Sequence, residues 1–398
     1  MKWASTISAK NTIEDCIEEA TADIRDQLGD KEAHLTLVFI SPHFREKFKL
    51  VPLLMRERLV SDTMIGCSGG GIIGGGKEVE HKPAFSITAA HLPGVKIKSF
   101  HTDTINPPDG ETSPTVWRQW LGVEAEGDPQ FIILADPFSF RGEEVLGGLD
   151  FAWPNSRKVG GLASGAQSSG GNALYLDDQT HSQGMVGVAL SGNIQLDTIV
   201  AQGCRPIGKP MNITKCQDTL LEEVNGSPPM NIVQEMLETL NEYDRKLLQT
   251  SLFLGIEMDP LKDDPGQGDF LIRNLTGVNQ STGAFSIGAL LRVGQLVQFH
   301  LRDKVMSGED LRLLLSKYKE QPGASSAEGA LLFSCLGRGE HLYGEPDHDS
   351  NVFKEKIGNV PLGGFFCNGE IGPVGKTTFL HGYTSSFGIF RARDQSAT

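Results

Sequence analysis

The stretch richest in reactive side chains lies near the carboxyl end: Ser334-Cys335-Leu336-Gly337-Arg338-Gly339-Glu340-His341-Leu342-Tyr343-Gly344-Glu345-Pro346-Asp347-His348-Asp349. It follows an apolar run, and ligands of α/β proteins tend to sit beyond the carboxyl ends of strands, so it is a candidate site. Arg338 carries the planar fork that holds a carboxylate or phosphate by two hydrogen bonds. His341, Asp347, His348 and Asp349 are metal-ligand types. The competing reading is that Asp349 or Ser350 caps a helix over 352–357 and the other groups form a solvated loop. Downstream, Asn368-Gly369-Glu370 places a lone carboxylate in apolar surroundings, where it needs a partner. Arg338 fills that need if the two loops converge, either as a structural pair or as half of a pocket for a zwitterion.

Cys67, Cys335 and Cys367 fall at strand ends or in glycine-rich stretches. A thiol there could be a nucleophile, a haem ligand or a redox sensor, or simply core filling. No Cys-x-x-Cys or His-Glu-x-x-His pattern strengthens the first three readings. His300 and His381 lie in or beside strand-like runs and read as core or hydrogen-bonded groups. Gly71-x-x-x-x-Gly76-Lys77 begins like a phosphate-binding loop, but Glu78 stands where the hydroxyl residue belongs and would repel phosphate. Gly375-Lys376-Thr377 lacks the first glycine of that motif. Gly69-x-Gly71-x-x-Gly74 mimics a dinucleotide fingerprint, and Gly66-Cys67-Ser68-Gly69-Gly70 a nucleophile elbow. Both need a helix directly afterwards, whereas the chain runs through Gly74-Gly75-Gly76 to Pro83 and a strand.

The elements that position these residues recur. Glycine is abundant, 47 of 398 residues, and gathers around 66–76, 160–171 and 363–375. Ahead of each cluster comes a helix-like segment and a continuous apolar run, 35–40, 131–134 or 331–333, which reads as a buried strand. A turn-rich exit, a helical stretch and a glycine step follow, and the glycine comes 31, 30 and 33 residues after the strand begins. Another strand lies beyond each cluster, at 84–90, 185–190 and 383–390. The pattern predicts an α/β fold: two α/β domains with mixed sheets, built from repeated helix-strand-helix-strand-glycine loop-strand units. A diverged fourth copy opens with a helix over 232–248 and a strand over 252–256, then gives way to a β-meander at 270–275, 284–287 and 296–301. Residues 203–230 read as a hairpin turning at Asn225-Gly226-Ser227-Pro228. The division expected is an N-terminal helix in 1–33, domains at 34–228 and 229–390, a loop near 321–328 and a flexible tail at 391–398.

Composition narrows the partners. A net charge of −14 disfavours nucleic acid, and no apolar run approaches the roughly 20 residues of a membrane helix. Six cysteines are too few for a disulfide scaffold, and residues 1–10 lack signal-peptide features, so a reducing cytoplasm is expected.

Ile65-Gly66-Cys67-Ser68-Gly69-Gly70-Gly71-Ile72-Ile73-Gly74 with Pro83-Ala84-Phe85-Ser86 resembles the N-domain signature of the FIST sensory family. Phe333-Ser334-Cys335-Leu336-Gly337-Arg338-Gly339, Gly363 to Pro373 and His381-Gly382-Tyr383-Thr384 resemble its C-domain signature, so the likeness spans residues 34–390. The resemblance implies a sensory module for small ligands such as amino acids, found alone or joined to signalling domains. Some relatives bind haem and respond to nitric oxide, and a eukaryotic relative carries an F-box. Here the segment before the first strand is too short for an F-box, so output is expected through a separate signalling protein or contacts between copies.

The resulting expectation is a cytoplasmic, non-enzymatic binder of an amino acid or other small anionic metabolite, with glycine backbone approaching the ligand. Its site would comprise Cys67, Ser68, Gly69, Gly71, Ser164, Cys335, Arg338, His341, Asn368, Gly369 and Glu370. Arg338 would clamp the anion, Asn368 and Glu370 would read polar groups, and Cys67, Ser68 and Cys335 would form the wall. The rivals are an enzyme with Cys335 or Cys67 as nucleophile and His341 or His348 as base, a haem sensor with a His or Cys axial ligand, and an interaction scaffold.

Overall fold

The computed structural model describes residues 1–104 and 106–393. Its contacts divide the chain into two compact units: Met1–Val200 together with the chain from Arg312 onward, and Ala201–Leu311. This division differs from the expected 34–228 and 229–390, because the last sheet is built with the first two and not with the segment preceding it.

Three six-stranded mixed sheets make up the first unit, and all three follow one connection scheme. At the heart of each is a parallel pair: Ala33–Ile40 with Ser61–Ser68, Gln130–Ala135 with Lys158–Leu162, and Gly329–Cys335 with Leu362–Cys367. An antiparallel strand flanks the first member of each pair: Phe85–His91, Met185–Gly192 and Ser385–Arg391. Edge strands Lys2–Ser8, Val95–Thr102 and Gln195–Ala201 complete that side. On the other side each sheet takes its hairpin from elsewhere. Gly71–Gly74 with Lys77–Glu80 leaves its own sheet and joins Leu362–Cys367. Leu174–Leu176 with Gln179–His181 joins Ser61–Ser68, and Glu370–Val374 with Thr377–His381 joins Lys158–Leu162. The three exchanges close a cycle, so no sheet is complete without another.

Continuous apolar runs suit strands covered on both faces. The inner faces share one core that includes Leu37, Phe39, Ile65, Leu134, Val186, Phe333 and Phe365. Helices cover the outer faces. Helix Ile13–Leu28 is started by Thr12, whose side chain accepts from Asp15 N, and it buries Ile13, Ile17, Ala20 and Ile24 along one stripe. Helices Pro114–Leu121 and Gly142–Ala152 cover the second sheet. On the third, Phe353 of helix His348–Ile357 stacks on Phe387 with ring centroids 5.4 Å apart.

The expected glycine loops are in large part strands. Gly66, Gly160 and Gly364 each sit in the second strand of a parallel pair. A Cβ there would meet the backbone oxygen of Val38, Ile133 or Leu332 at 2.1, 1.8 and 1.8 Å. These glycines therefore serve close strand pairing. Strand Lys2–Ser8 was not anticipated, because the small polar residues Ser5, Thr6 and Ser8, buried in this edge strand, leave no continuous apolar run or alternation to mark it.

The second unit holds a closed six-stranded barrel with strands Cys204–Gln217, Leu220–Val224, Phe285–Ile287, Phe270–Val278, Leu252–Glu257 and Leu296–Arg302 in that order around it. The expected meander is interrupted, since Leu296–Arg302 pairs with Cys204–Gln217 and Leu252–Glu257 and not with Phe285–Ile287. The hairpin turns near Asp218, where φ is 51°, and not at Asn225-Gly226, which instead ends strand Leu220–Val224 before helix Pro229–Thr239. The expected 232–248 helix is two, Pro229–Thr239 and Glu242–Thr250, the second capped by the Asn241 side chain. Strand Ser385–Arg391 reaches into the expected tail, of which 394–398 lie outside the described residues. Among the described residues no helix is long and apolar enough to cross a membrane.

Candidate functional site

The carboxyl ends of the three second strands, one from each sheet, meet at a single rim. Ser164 N donates to Ser68 O at 3.0 Å, and Asn368 N to Leu162 O at 3.1 Å, while Leu162 N donates to Gly369 O at 2.8 Å. Gly70 N donates to Ser164 Oγ at 2.8 Å, and that hydroxyl donates onward to Phe366 O. Ser164 is fully buried at the centre of this ring and holds all three strand ends together. Around it Gly70 and Cys335 are half-buried and Asn368 is exposed, with Leu336, 39 % exposed, leaning over Gly70.

A second layer fixes one side of the rim. Ser68 Oγ donates to Asn172 Oδ1 at 3.3 Å and accepts from Ala173 N. Asn172 Nδ2 donates to Asp136 Oδ1 at 3.3 Å, and Asp136 accepts from Phe138 N and Ser139 Oγ. Asn172 and Asp136 were not anticipated. The signal for Asp136 was its place directly after a buried strand and before Pro137, where a carboxylate must cap the turn.

Of the expected site residues, the structure brings Ser68, Ser164, Cys335, Asn368 and Gly369 to this rim. Gly69 and Gly71 adjoin it, but added Cβ atoms would meet Phe365 at 2.9 Å and Phe366 at 2.6 Å, so their role there is packing. Cys67 is corrected from wall to core: it is fully buried among the inner faces, and burial pushes its thiol well up. Glu370 is fully buried and accepts from Thr384 N at 3.1 Å. His341 is exposed on the short helix Gly339–Tyr343.

Arg338 is the largest correction. It is 0 % exposed and pairs with Asp349, not Glu370: Nε lies 2.8 Å from Oδ2 and Nη2 3.2 Å from Oδ1. Nη2 also donates to the Tyr343 hydroxyl and Nη1 to Tyr383 O. Asp349 further accepts from Ser385 Oγ at 2.5 Å and shares a 3.0 Å contact with His348 Nδ1, whose ring stacks on Tyr343. Burial alone would raise the Asp349 carboxyl, but the guanidinium and these hydrogen bonds override it and hold it well below the usual carboxylate range. The fork expected to grip a ligand thus grips the protein.

Nor does Asp349 cap its helix. The helix runs His348–Ile357, and its first turn is met by Glu78 from the exchanged hairpin: Ser350 N and Oγ both donate to Glu78 Oε1 at 2.7 Å. Asp347 returns the contact, accepting from Glu78 N at 2.6 Å and pairing with Lys77 at 3.0 Å. The residue that disqualified the phosphate loop is therefore a helix-terminal acceptor on the exchanged hairpin at the edge of the third sheet. Burial first, then the Asp349 charge, push the Glu78 carboxyl up to about 8.

Among the described residues no group of three or more His, Cys, Asp or Glu side chains is arranged to hold a metal. A haem would need an axial nitrogen or sulfur facing an apolar slot. His300 and His381 are instead enclosed, 1 % and 3 % exposed, and Cys67 and Cys367 are packed in the core, so none of the four faces an open slot. These buried candidates do not fit the group.

Comparison with known proteins covers nearly the whole chain. Residues 34–227 match the FIST N domain and residues 230–373 the FIST C domain. An uncharacterized protein of Mycobacterium tuberculosis is 33 % identical over 391 residues, 98 % of this chain and 100 % of the relative. An uncharacterized protein of Mycobacterium bovis is 33 % identical over 373 residues, 94 % of each chain. An F-box/LRR-repeat protein of Arabidopsis thaliana is 24 % identical over 357 residues, 76 % of this chain and 66 % of that protein.

Proposed function

The chain belongs to the FIST family, whose domains are sensory domains of signalling proteins, and on that premise we propose that it is a non-enzymatic receptor for a small polar metabolite. The observation that carries the reading is the meeting of three strand ends around Ser164, an arrangement that presents glycine backbone and one exposed amide at a single place. The ligand is an amino acid or other small organic anion, read by the exposed Asn368 side-chain amide, since Gly70 N, Ser164 N and Asn368 N are already bonded within the ring and Arg338 is already neutralised by Asp349. Burial pushes the Cys67 thiol well up, the opposite of what a cysteine nucleophile needs, and this weighs against Cys67 as a catalytic thiol. The three like sheets read as an internal repeat, the protein acts in the cytoplasm, and the signal passes to a separate protein or a second copy of this chain.

Native and denaturing mass spectrometry of gently purified protein test the reading. A mass excess that vanishes on denaturation is expected, with occupancy reduced in Asn368→Ala and in Gly70→Ala, whose new Cβ would press on Leu336 Cδ2 at 2.5 Å. A clean apo mass, with no metabolite shifting the melting temperature, would overturn it.

A further inference from the structure

Away from the rim, a cavity of about 460 Å³ opens beside helix Val51–Arg58, the start of strand Ser61–Ser68 and the turn of the Leu174–Leu176/Gln179–His181 hairpin. Its volume lies within the range of small-molecule sites. The wall is apolar: Pro52, Met55, Leu59 and Met64 line it, and Met55 and Met64 are otherwise buried. Methionine thioethers are polarizable and unbranched, and they adapt to a hydrocarbon chain of variable shape.

The polar lining is almost all acceptor. Thr36 is fully buried on the sheet, and its hydroxyl donates to Ser61 Oγ at 2.9 Å. The Ser61 hydroxyl donates in turn to Thr63 O at 3.0 Å. Both protons are committed inside the protein, so these oxygens can offer a ligand only lone pairs. Asp177 accepts from Met64 N through Oδ1 at 3.0 Å, which leaves Oδ2 for a further donor. Asp62 and Asp178 line the cavity and are exposed. Three carboxylates thus face one cation, Arg56, around an aliphatic interior.

We propose that this cavity binds a linear aliphatic amine in its ammonium form, a diamine or polyamine, with the hydrocarbon against Met55, Leu59 and Met64 and the ammonium groups on Asp62, Asp177 and Asp178. Carboxylate ligands are disfavoured by the same three charges, and a bare metal ion would leave the thioether wall without a partner. The site is separate from the rim, so its failure leaves the rim reading untouched, and the reverse.

The test is calorimetric titration of the full chain with spermidine, with hexanoate and with magnesium chloride at matched ionic strength. Spermidine is expected to bind saturably. The pair Asp62→Asn and Asp178→Asn, both at exposed carboxylates, should weaken it about tenfold or more as charge-assisted bonds are lost. Met64→Gln, with circular dichroism to confirm folding, should weaken it while leaving the carboxylates in place. Equal heats from magnesium, binding unchanged in the double Asn variant, or no binding at about 10 mM spermidine, the millimolar edge of weak recognition, would each overturn the assignment.

Discussion

Replacing Arg338 by Met removes a guanidinium that is wholly enclosed and holds Asp349 with two bonds, at 2.8 and 3.2 Å. Asp349 would keep Ser334, Ser385 and His348 as neighbours but lose its counter-charge. Breaking one side of a buried ion pair costs about 3–5 kcal/mol. For a unit of this size each kcal/mol moves the midpoint by roughly 2–4 °C, so a fall of roughly 6–20 °C in thermal unfolding is expected. Circular dichroism melts of the parent, Arg338→Met, and Arg338→Met with Asp349→Leu measure it. The double variant should recover much of the loss, because no uncompensated charge remains.

The pH dependence gives a sharper discriminator. In the parent the Asp349 carboxyl is held low, so its contribution is complete above the ordinary carboxylate pKa and persists well into acid. Without the guanidinium, burial dominates and raises it above the unfolded value, so stability is recovered below that value and lost as pH rises. The gap between parent and Arg338→Met should therefore narrow from pH 7 to pH 4. A variant that melts within about 2 °C of the parent, small against one buried-pair loss, yet no longer binds ligand, would refute the structural assignment and return Arg338 to the site.

Glu78→Gln should gain stability relative to the parent between pH 5 and pH 9 in urea titrations. A carboxyl whose folded pKa is raised to about 8 contributes fully below its unfolded value and loses that contribution as pH rises through 8, so a pH-independent difference would contradict the picture. Gly160→Ala should destabilise by about 3 kcal/mol or more, because its Cβ would sit 1.8 Å from the Ile133 backbone oxygen. Gly147→Ala, in helix Gly142–Ala152 with nothing within 4 Å, should stabilise by about 0.5–1 kcal/mol; equal melts for the two would refute the steric argument. Alkylation of the native protein should reach Cys216 and Cys335 before the buried Cys16, Cys67, Cys204 and Cys367, as peptide mass spectrometry would show, and early labelling of Cys67 or Cys367 would contradict their burial.

Much of the scaffold was legible because apolar runs such as 35–40 and 331–333 are continuous, and continuity marks strands covered on both faces. The rim was legible through the turn-rich exits that follow those runs and the glycine steps beyond them. The hairpin exchange was not, since nothing local in Gly71–Glu80 says which sheet's edge it will pair with. The same blindness misassigned Arg338. Its partner Asp349 is eleven positions away across a bend that puts Asp347 at a φ of 60°, and sequence alone offered Glu370 just as readily. Glu78 was read only as the fault in a phosphate motif, because its partner Ser350 is 272 residues distant.

The exchange also bears on how binding at the rim would be felt elsewhere. Ser164 joins Gly70 N of the first sheet's segment to Phe366 O of the third while itself continuing the second. Each of those sheets in turn holds a hairpin from a neighbour, and the hairpin carrying Glu78 grips the helix that contains Asp349. A ligand that displaced Asn368 would strain its bond to Leu162 O, and through Ser164 the effect would reach Gly70 after the first sheet's strand and Phe366 of the third. Such a ligand can shift the protein only by as much as it binds the two arrangements differently. The ring around Ser164 sets what it must overcome, since breaking it would leave the buried Phe366 O unsatisfied at about 1–3 kcal/mol and the half-buried Gly70 N without its acceptor. A compact ligand that supplied replacement donors and acceptors at those two atoms would remove that barrier, which makes the complement of Gly70 N and Phe366 O the chemical description of an effective signal.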